Sequence, residues 1–398
     1  MQKTILFTIL TAIFVVFIGI GIIVPILPIY AAEFGATGFY LGVIVAGFPL
    51  SGGLLQPFVG NLSDRHGRKK FLVFGLIIFS LTGYIYTLAG SVVHLVMIRI
   101  FHGAGSALVF PIAMAYIADA AAGKNIGRYM GMFNIAIFSG IGAGPVLGGF
   151  FLDLLGRNSA FYAMALLSLL STVLVVAMLP GRDHDPCTVA GSSEGVFTVF
   201  RRMLSNQRLK GILLARMSTM IIIVPTFAFL PLLMTRQMSA SGSEIGMVIA
   251  CRTLVNAVFQ VPFGKLADRW NQNRLLLAGS TIISIGIFLV PFTVSFVPLL
   301  LLFGVIGLGE AVSWPAMGAL AAEEGQKYGQ GSMMGAFNMA MNAGLFIGAM
   351  GVGALADLLG ISWAFYTVAL SLFFCAVVAA SMIRNSRCEK AFDHRPEI

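Results

Sequence analysis

Between Ile5 and Tyr30 the chain carries no charged side chain. Wound as a helix at about 1.5 Å per residue, a run of that length crosses a hydrocarbon core of about 30 Å, which takes roughly 20 residues. A secretory apolar region is only about 7 to 15 residues long, so the run reads as a retained helix and not a cleaved signal. The same pattern returns from Phe71 to Ala89 and, with short polar breaks, along the rest of the chain. Charged residues make up 10% of the sequence and hydrophobic ones 58%; ordinary soluble domains carry about 25% charged residues. Such a surface needs lipid as its solvent.

Twelve spans are expected: Ile5–Tyr30, Phe39–Val59, Phe71–Ala89, Val92–Ala118, Arg128–Phe151, Ser159–Leu179, Leu209–Leu233, Glu244–Leu266, Leu275–Val294, Pro298–Leu320, Ser332–Ala356 and Ile361–Ile383. An even number puts both termini on one side. The formal net charge of +9 could suggest a nucleic-acid partner, so the distribution of the cations decides. Arg157 and Arg236 fall on the side away from the termini, and Arg99, Arg216 and Arg252 lie inside spans. The remaining 20 of the 25 Lys and Arg lie on the terminus side. By the positive-inside rule both termini are cytoplasmic, and the basicity records topology in a bacterial-type plasma (inner) membrane. No nucleic-acid partner is expected.

A repeat runs through the chain at an offset of 204 residues. "DLLGRNSAFY" from Asp153 returns as "DLLGISWAFY" from Asp357. In the same register Gly42 meets Gly246, Gly60 meets Gly264, and Asp64 and Arg65 meet Asp268 and Arg269. Gly103, Gly105, Ala107 and Pro111 meet Gly307, Gly309, Ala311 and Pro315. One register held this far indicates duplication. The expected architecture is an all-α membrane protein of two pseudo-symmetric six-helix bundles, residues 1–180 and 209–398, joined by a cytoplasmic linker over 181–208, with a short cytoplasmic tail. Parallel repeats of this kind build transporters that rock about a site at the midplane.

The turn after the second span reads "GNLSDRHGRKK", Gly60 to Lys70. On this stretch, with Gly60, Asp64, Arg65, Gly67 and Arg68 in place, the chain resembles the major facilitator superfamily. The second copy, "GKLADRWNQNR" from Gly264, keeps Asp268 and Arg269 but has Asn271 where the later glycine stands. A helix amide end favours an anion by about 0.3–1 kcal/mol, and the resemblance implies that Asp64 latches the cytoplasmic side against the start of span eleven near Gly331. Asp268 would do the same near Gly127, and Asp119 would pair with Arg65 or Arg68. The plain alternative is that these loops merely carry topogenic charge.

Span four, "LVMIRIFHGAGSA", resembles the family's fourth-helix motif, with Arg99 inside the span and His102 where many relatives carry Gln. Span five, "GIGAGPVLGG", is similar to the antiporter motif of the twelve-helix drug:proton exporters at Gly140, Gly144, Pro145, Gly148 and Gly149. Small residues at four-residue spacing also serve simple helix packing.

The second half carries Arg216, Arg252 and Glu310 inside its spans. A charge at mid-depth costs about 2.5–3.5 kcal/mol on insertion scales and so faces water or a partner. Glu310 is either a proton carrier or one arm of a bracing ion pair, and both readings stay open. Arg99, Arg216, Arg252, His102 and Trp314 complete the candidate coupling and cavity set. Two cations and one carboxylate in one half fit an anionic or neutral cargo better than a cationic one.

The four cysteines have no metal-site spacing and read as free thiols. Neither a metal ion nor a cofactor is expected, and the absence of a Walker loop leaves an ion gradient as the energy source. No nucleophile elbow or zinc-ligand pair marks an intramembrane enzyme. The expected function is a secondary active, proton-coupled exporter of a small lipophilic drug-like or metabolite solute, working as a monomer in the bilayer by alternating access. An uptake symporter is the alternative within transport, and a non-transporting membrane sensor or intramembrane enzyme the alternative outside it.

Overall fold

The computed structural model describes residues 2–120, 126–179, 205–328 and 330–392. Among them twelve helices are long and apolar enough to span a membrane: α1 Thr4–Glu33, α2 Gly38–Gln56, α3 Arg68–Tyr86, α4 Val92–Ile117, α5 Met132–Leu155, α6 Arg157–Met178, α7 Gln207–Met238, α8 Gly242–Ala267, α9 Gln272–Phe292, α10 Phe296–Gly325, α11 Met333–Leu359 and α12 Ile361–Arg384. Several outlast their apolar stretches on the terminus side. The helix of α2 continues to His66, that of α10 to Tyr328 and that of α12 to Phe392.

Local chemistry sets the ends and breaks. The Thr37 hydroxyl accepts from the Tyr40 N–H at 3.4 Å, and at the matching end of α8 Ser241 and Glu244 form a capping box. Prolines interrupt the first helix of each half, since proline removes a donor and clashes with the preceding turn. In α1 the helix gives way to a turn at Val24–Pro25, and in α7 Pro225–Phe229 is wound as a π-turn.

Packing repeats at the same offset as the sequence. In the first half α1 lies on α5 and α6, α3 on α4 and α6, and α2 on α4; in the second, α7 lies on α11 and α12, α9 on α10 and α12, and α8 on α10. Between halves the extensive contacts are α5 with α8 and α2 with α11, which are mates in the repeat.

The apolar core is forked. Away from the termini one continuous cluster takes in Ile26, Tyr30 and Phe161 of the first half together with Phe229, Phe303 and Phe365 of the second. Toward the termini the cores part. Ile9, Phe79, Ile112 and Phe133 belong to one cluster made only of first-half residues, and Ile212, Leu276, Met317 and Phe337 to another made only of second-half residues. The halves are therefore welded at the far end and separate at the end that holds the termini, which leaves a cleft between them open to that side.

Candidate functional site

The weld is built from backbone contacts that only glycine permits. A Cβ on Gly246 would strike the Pro145 carbonyl oxygen, and one on its mate Gly42 would strike the carbonyl of Ala349, the mate of Pro145. Gly149 meets the carbonyl of Gly242, and Gly353 that of Gly38, again in register. Carboxylates close the same end. Asp153 accepts from the N–H groups of Gly242 and Ser243, both at 2.8 Å, and from the Ser243 hydroxyl at 2.6 Å. Asp357 accepts from the N–H of Gly38 at 2.5 Å and of Phe39 at 2.8 Å. Each carboxylate thus caps the first turn of a helix in the opposite half, where unpaired N–H groups and the helix dipole favour an anion.

The glycine motif of α5 divides between two neighbours. Gly140, Gly144 and Gly148 face α1, where a Cβ on Gly144 would sit 2.5 Å from the Cα of Gly21 and one on Gly140 2.7 Å from the Phe14 carbonyl. Gly149 and the Pro145 carbonyl face α8. The motif is thus the seam by which α5 sits between its own bundle and the other.

Inside the second half Glu310 and Arg252 form an ion pair that is almost wholly buried, each side chain 4% exposed. Arg252 donates from Nε to Glu310 Oε1 at 3.1 Å, and from its terminal nitrogens to that oxygen and to the Thr226 hydroxyl. Asn256 Nδ2, one turn along α8, donates to Glu310 Oε2 at 3.2 Å. Thr226 lies in the π-turn of α7, so the irregular winding, a frequent mark of functional helices, joins α7 to the pair. At the mates of Asn256 and Glu310 the first half has Gly52 and Ser106, which pack closely but carry no charge. The polar network is therefore confined to the second copy.

Arg99 and Arg252 occupy exchanged places. The mate of Arg99 is Phe303, and the mate of Arg252 is Phe48. The Arg99 guanidinium lies 4.7 Å from the centre of the Phe48 ring, and its Nε donates to the Ile44 carbonyl at 3.4 Å. His102 is fully buried among Phe48, Phe79 and Tyr86, with both ring nitrogens unpartnered. It sits inside the first bundle, off the cleft.

Arg216 stands apart from Glu310. Its guanidinium lies 4.7 Å from the Phe337 ring centre and 5.7 Å from that of Trp314, and Nη2 approaches the Met341 sulfur at 3.2 Å. Trp314 in turn meets Phe138 of α5 across the cleft, ring centres 5.6 Å apart. Of the candidate cavity residues, the structure brings Arg216 and Trp314 together at the cleft wall, joins Arg252 to Glu310 in a separate network, and leaves Arg99 and His102 in the other half.

At the terminus side Gly67 turns the chain with φ +94°, and its N–H returns to the Ser63 carbonyl at 3.0 Å. The second copy dispenses with glycine because its turn is built differently: Asn271 caps α9, accepting from the N–H groups of Asn273 and Arg274 at 3.0 and 3.3 Å. Arg269 is exposed and Arg68 half-buried. The side chains of Asp64, Arg65, Asp268 and Asp119, the surroundings of Gly60, and the expected contacts near Gly331 and Gly127 lie outside the described residues. Glu323, the mate of Asp119, pairs with Arg208 at 2.6 Å, as does Glu324 at 2.7 Å. Cys251 and Cys375 are free thiols, whereas Cys187 and the side chain of Cys388 lie outside the described residues.

The carboxylate caps at the far end were missed in the sequence, although Asp153 and Asp357 open the repeated decapeptide. The signal that could have found them was present: two repeated aspartates, and two repeated glycines that begin helices.

Comparison with known proteins agrees with this architecture. The pattern of the Major Facilitator Superfamily matches residues 9–238 and again 211–396, and the chain belongs to that superfamily of transporters. It is 33% identical over 350 residues to an uncharacterized MFS-type transporter of Methanocaldococcus jannaschii, covering 88% of this chain and 90% of that one. It is 28% identical to Multidrug resistance protein 1 of Bacillus subtilis, over 95% and 97% of the two chains, and 27% identical to the Quinolone resistance protein NorA of Staphylococcus aureus, over 87% and 88%. Among solved structures it resembles a bacterial homologue of the human lysosomal transporter Spinster in an inward-facing, unoccupied conformation, with TM-score 0.79 at 15% identity over 100% and 99% of the chains. The nucleoside transporter NupG is similar too, with TM-score 0.76 at 15% identity over 96% and 99%.

Proposed function

We propose that this transporter is a proton-coupled exporter of small lipophilic solutes, with its termini in the cytoplasm of a cell bounded by a plasma membrane, acting as a monomer. The forked core carries the reading. A body welded at one end and parted at the other, with mirrored contacts on either side of the weld, has a natural counterpart in which the fork is reversed. On this reading the present state opens to the cytoplasm and takes up cargo there. The names of the relatives from Bacillus subtilis and Staphylococcus aureus support export of drug-like compounds, as does the α5 motif at Gly140, Gly144, Pro145, Gly148 and Gly149.

Glu310 is the proton carrier in this scheme. Its carboxylate is held by Arg252 and Asn256 beside a π-turn that can rewind, and protonation would release Arg252 from the pair. Asp64, Arg65, Gly67 and Arg68, with Asp268, Arg269 and Asp119, would latch the cytoplasmic end in the reversed state.

The test is flux of a panel of aromatic solutes in liposomes holding the purified protein, with an imposed pH gradient. Protons moving one way should drive solute the other. Solute moving with the protons would make the protein a symporter, and flux indifferent to the gradient would remove proton coupling altogether.

A further inference from the structure

Arg216 is the charge that the coupling network does not use. It lies in α7 nine residues from Gln207, which at 1.5 Å per residue sets it about 13 Å inside the helix from the terminus end. It makes no ion pair among the described residues, its Nε is buried without a hydrogen-bond partner, and so is Nε1 of Trp314 beside it. The surrounding groups are aromatic rings and a thioether: Trp314, Phe337, Met341 and, across the cleft, Phe138. Ring faces attract the cation but contribute less than burial of an arginine at mid-span costs. The balance leaves a guanidinium short of an anion. In the other half Arg99 also has no carboxylate partner among the described residues. The Glu310 charge is matched by Arg252, so the intramembrane residues named here carry a net positive charge.

We propose that the cleft binds solutes that pair a flat apolar body with an acidic group. Arg216 receives the carboxylate or phosphate, the indole N–H of Trp314 adds a second donor, and Phe138, Phe337 and Met341 hold the body. A carboxylate suits the planar fork of the guanidinium in two-point contact. A quaternary ammonium drug meets the opposite charge at this wall. The proposal rests on the transport reading for its physiological sense, yet it concerns equilibrium binding and is tested without a gradient.

Three probes of one shape separate the possibilities: 2-naphthoate, 2-naphthamide and 2-naphthylmethylammonium, each titrated calorimetrically into the purified full-length protein. Naphthoate should bind at least about tenfold more tightly than the amide, as a charge-assisted hydrogen bond commands, and the ammonium more weakly than either. Arg216→Gln should bring the naphthoate-to-amide ratio to about one while amide binding stays within about twofold, and Arg216→Lys should restore part of the preference. Equal affinities in the parent, tighter binding of the ammonium, or a preference unchanged in Arg216→Gln would each overturn the proposal. If Arg216→Gln does not fold, Arg216→Lys decides: because lysine cannot form the two-point contact, a ratio equal to the parent's counts against the site and a reduced one for it. Intact preference together with absent pH-driven flux would sink the proton-coupled reading and leave this site standing.

Discussion

Asp153 and Gly242 sit on opposite halves of the molecule, and the carboxylate of one receives the first helical N–H of the other at 2.8 Å. Their mates, Asp357 and Gly38, repeat the bond at 2.5 Å. The decapeptide that the chain spells twice is therefore the far-end clasp, used once on each flank of the pseudo-two-fold axis.

Removing both carboxylate charges should loosen that end. In Asp153→Asn with Asp357→Asn each cap keeps an acceptor but loses the anion, a cost of about 0.3–1 kcal/mol apiece. The population open at the far end should rise several-fold. Spin labels at Leu88 and Val294, exposed on opposite halves at that end, would report a longer-distance component by electron–electron resonance. A distribution identical to the parent's would deny the clasp any part in the equilibrium.

Gly246→Ala drives a methyl into the Pro145 carbonyl. Backbone cannot yield as a side-chain tip does, so α5 and α8 must part at a cost of about 1–3 kcal/mol. The expected results are a lower melting temperature and impaired transport, with the same outcome for Gly42→Ala at the mirrored seam. By contrast Gly335→Ala, inside a helix with open space around it, should hold or slightly raise the melting temperature. Equal behaviour of Gly246→Ala and Gly335→Ala would refute the close approach.

The carrier and brace readings of Glu310 part company in a double variant. Breaking a buried pair by removing one partner costs about 3–5 kcal/mol, because the other charge is stranded. Glu310→Gln alone and Arg252→Gln alone should both lower stability by that order. The two together should recover most of it, yet pH-driven flux should stay lost if Glu310 moves the proton. Restored coupling in the double variant would reduce the pair to a brace.

Asp64→Asn should slow turnover of a solute while its binding affinity stays within about twofold, since a latch at a helix amide end acts on the state that the cargo does not select. Parent-like turnover would strip the loop of its gating role.

Much of this fold is legible in the residues, because lipid imposes few solutions and each leaves a plain mark. Charge-free runs mark the spans, and a constant offset from Gly42 to Tyr366 implies that a contact made by one copy recurs at its mate, as α5 with α8 and α2 with α11 do. The site was less legible. Glu310 could be placed at mid-depth, but Arg216, Arg252 and Arg99 were equivalent candidates until the structure set Arg252 beside it. Asn256, one turn from Arg252 on α8, was the overlooked hint, since two polar groups at that spacing share a helix face. His102 joined the candidate set because a titratable ring inside a span invites a proton role; the structure packs it edge-on against three aromatic rings. The caps at Asp153 and Asp357 escaped because a repeated residue announces that it is needed without saying what it touches.

The forked core has a thermal consequence. Parting α5 from α8 and α2 from α11 at the far end would let water reach apolar surface that is now dry, while closing the opposite arm would expel water from a different set. Hydration of apolar surface carries a large heat capacity. Unless the two exposed areas match, the ratio of the two states is a curved function of temperature, so that the same transporter rests differently poised in a cold membrane than in a warm one.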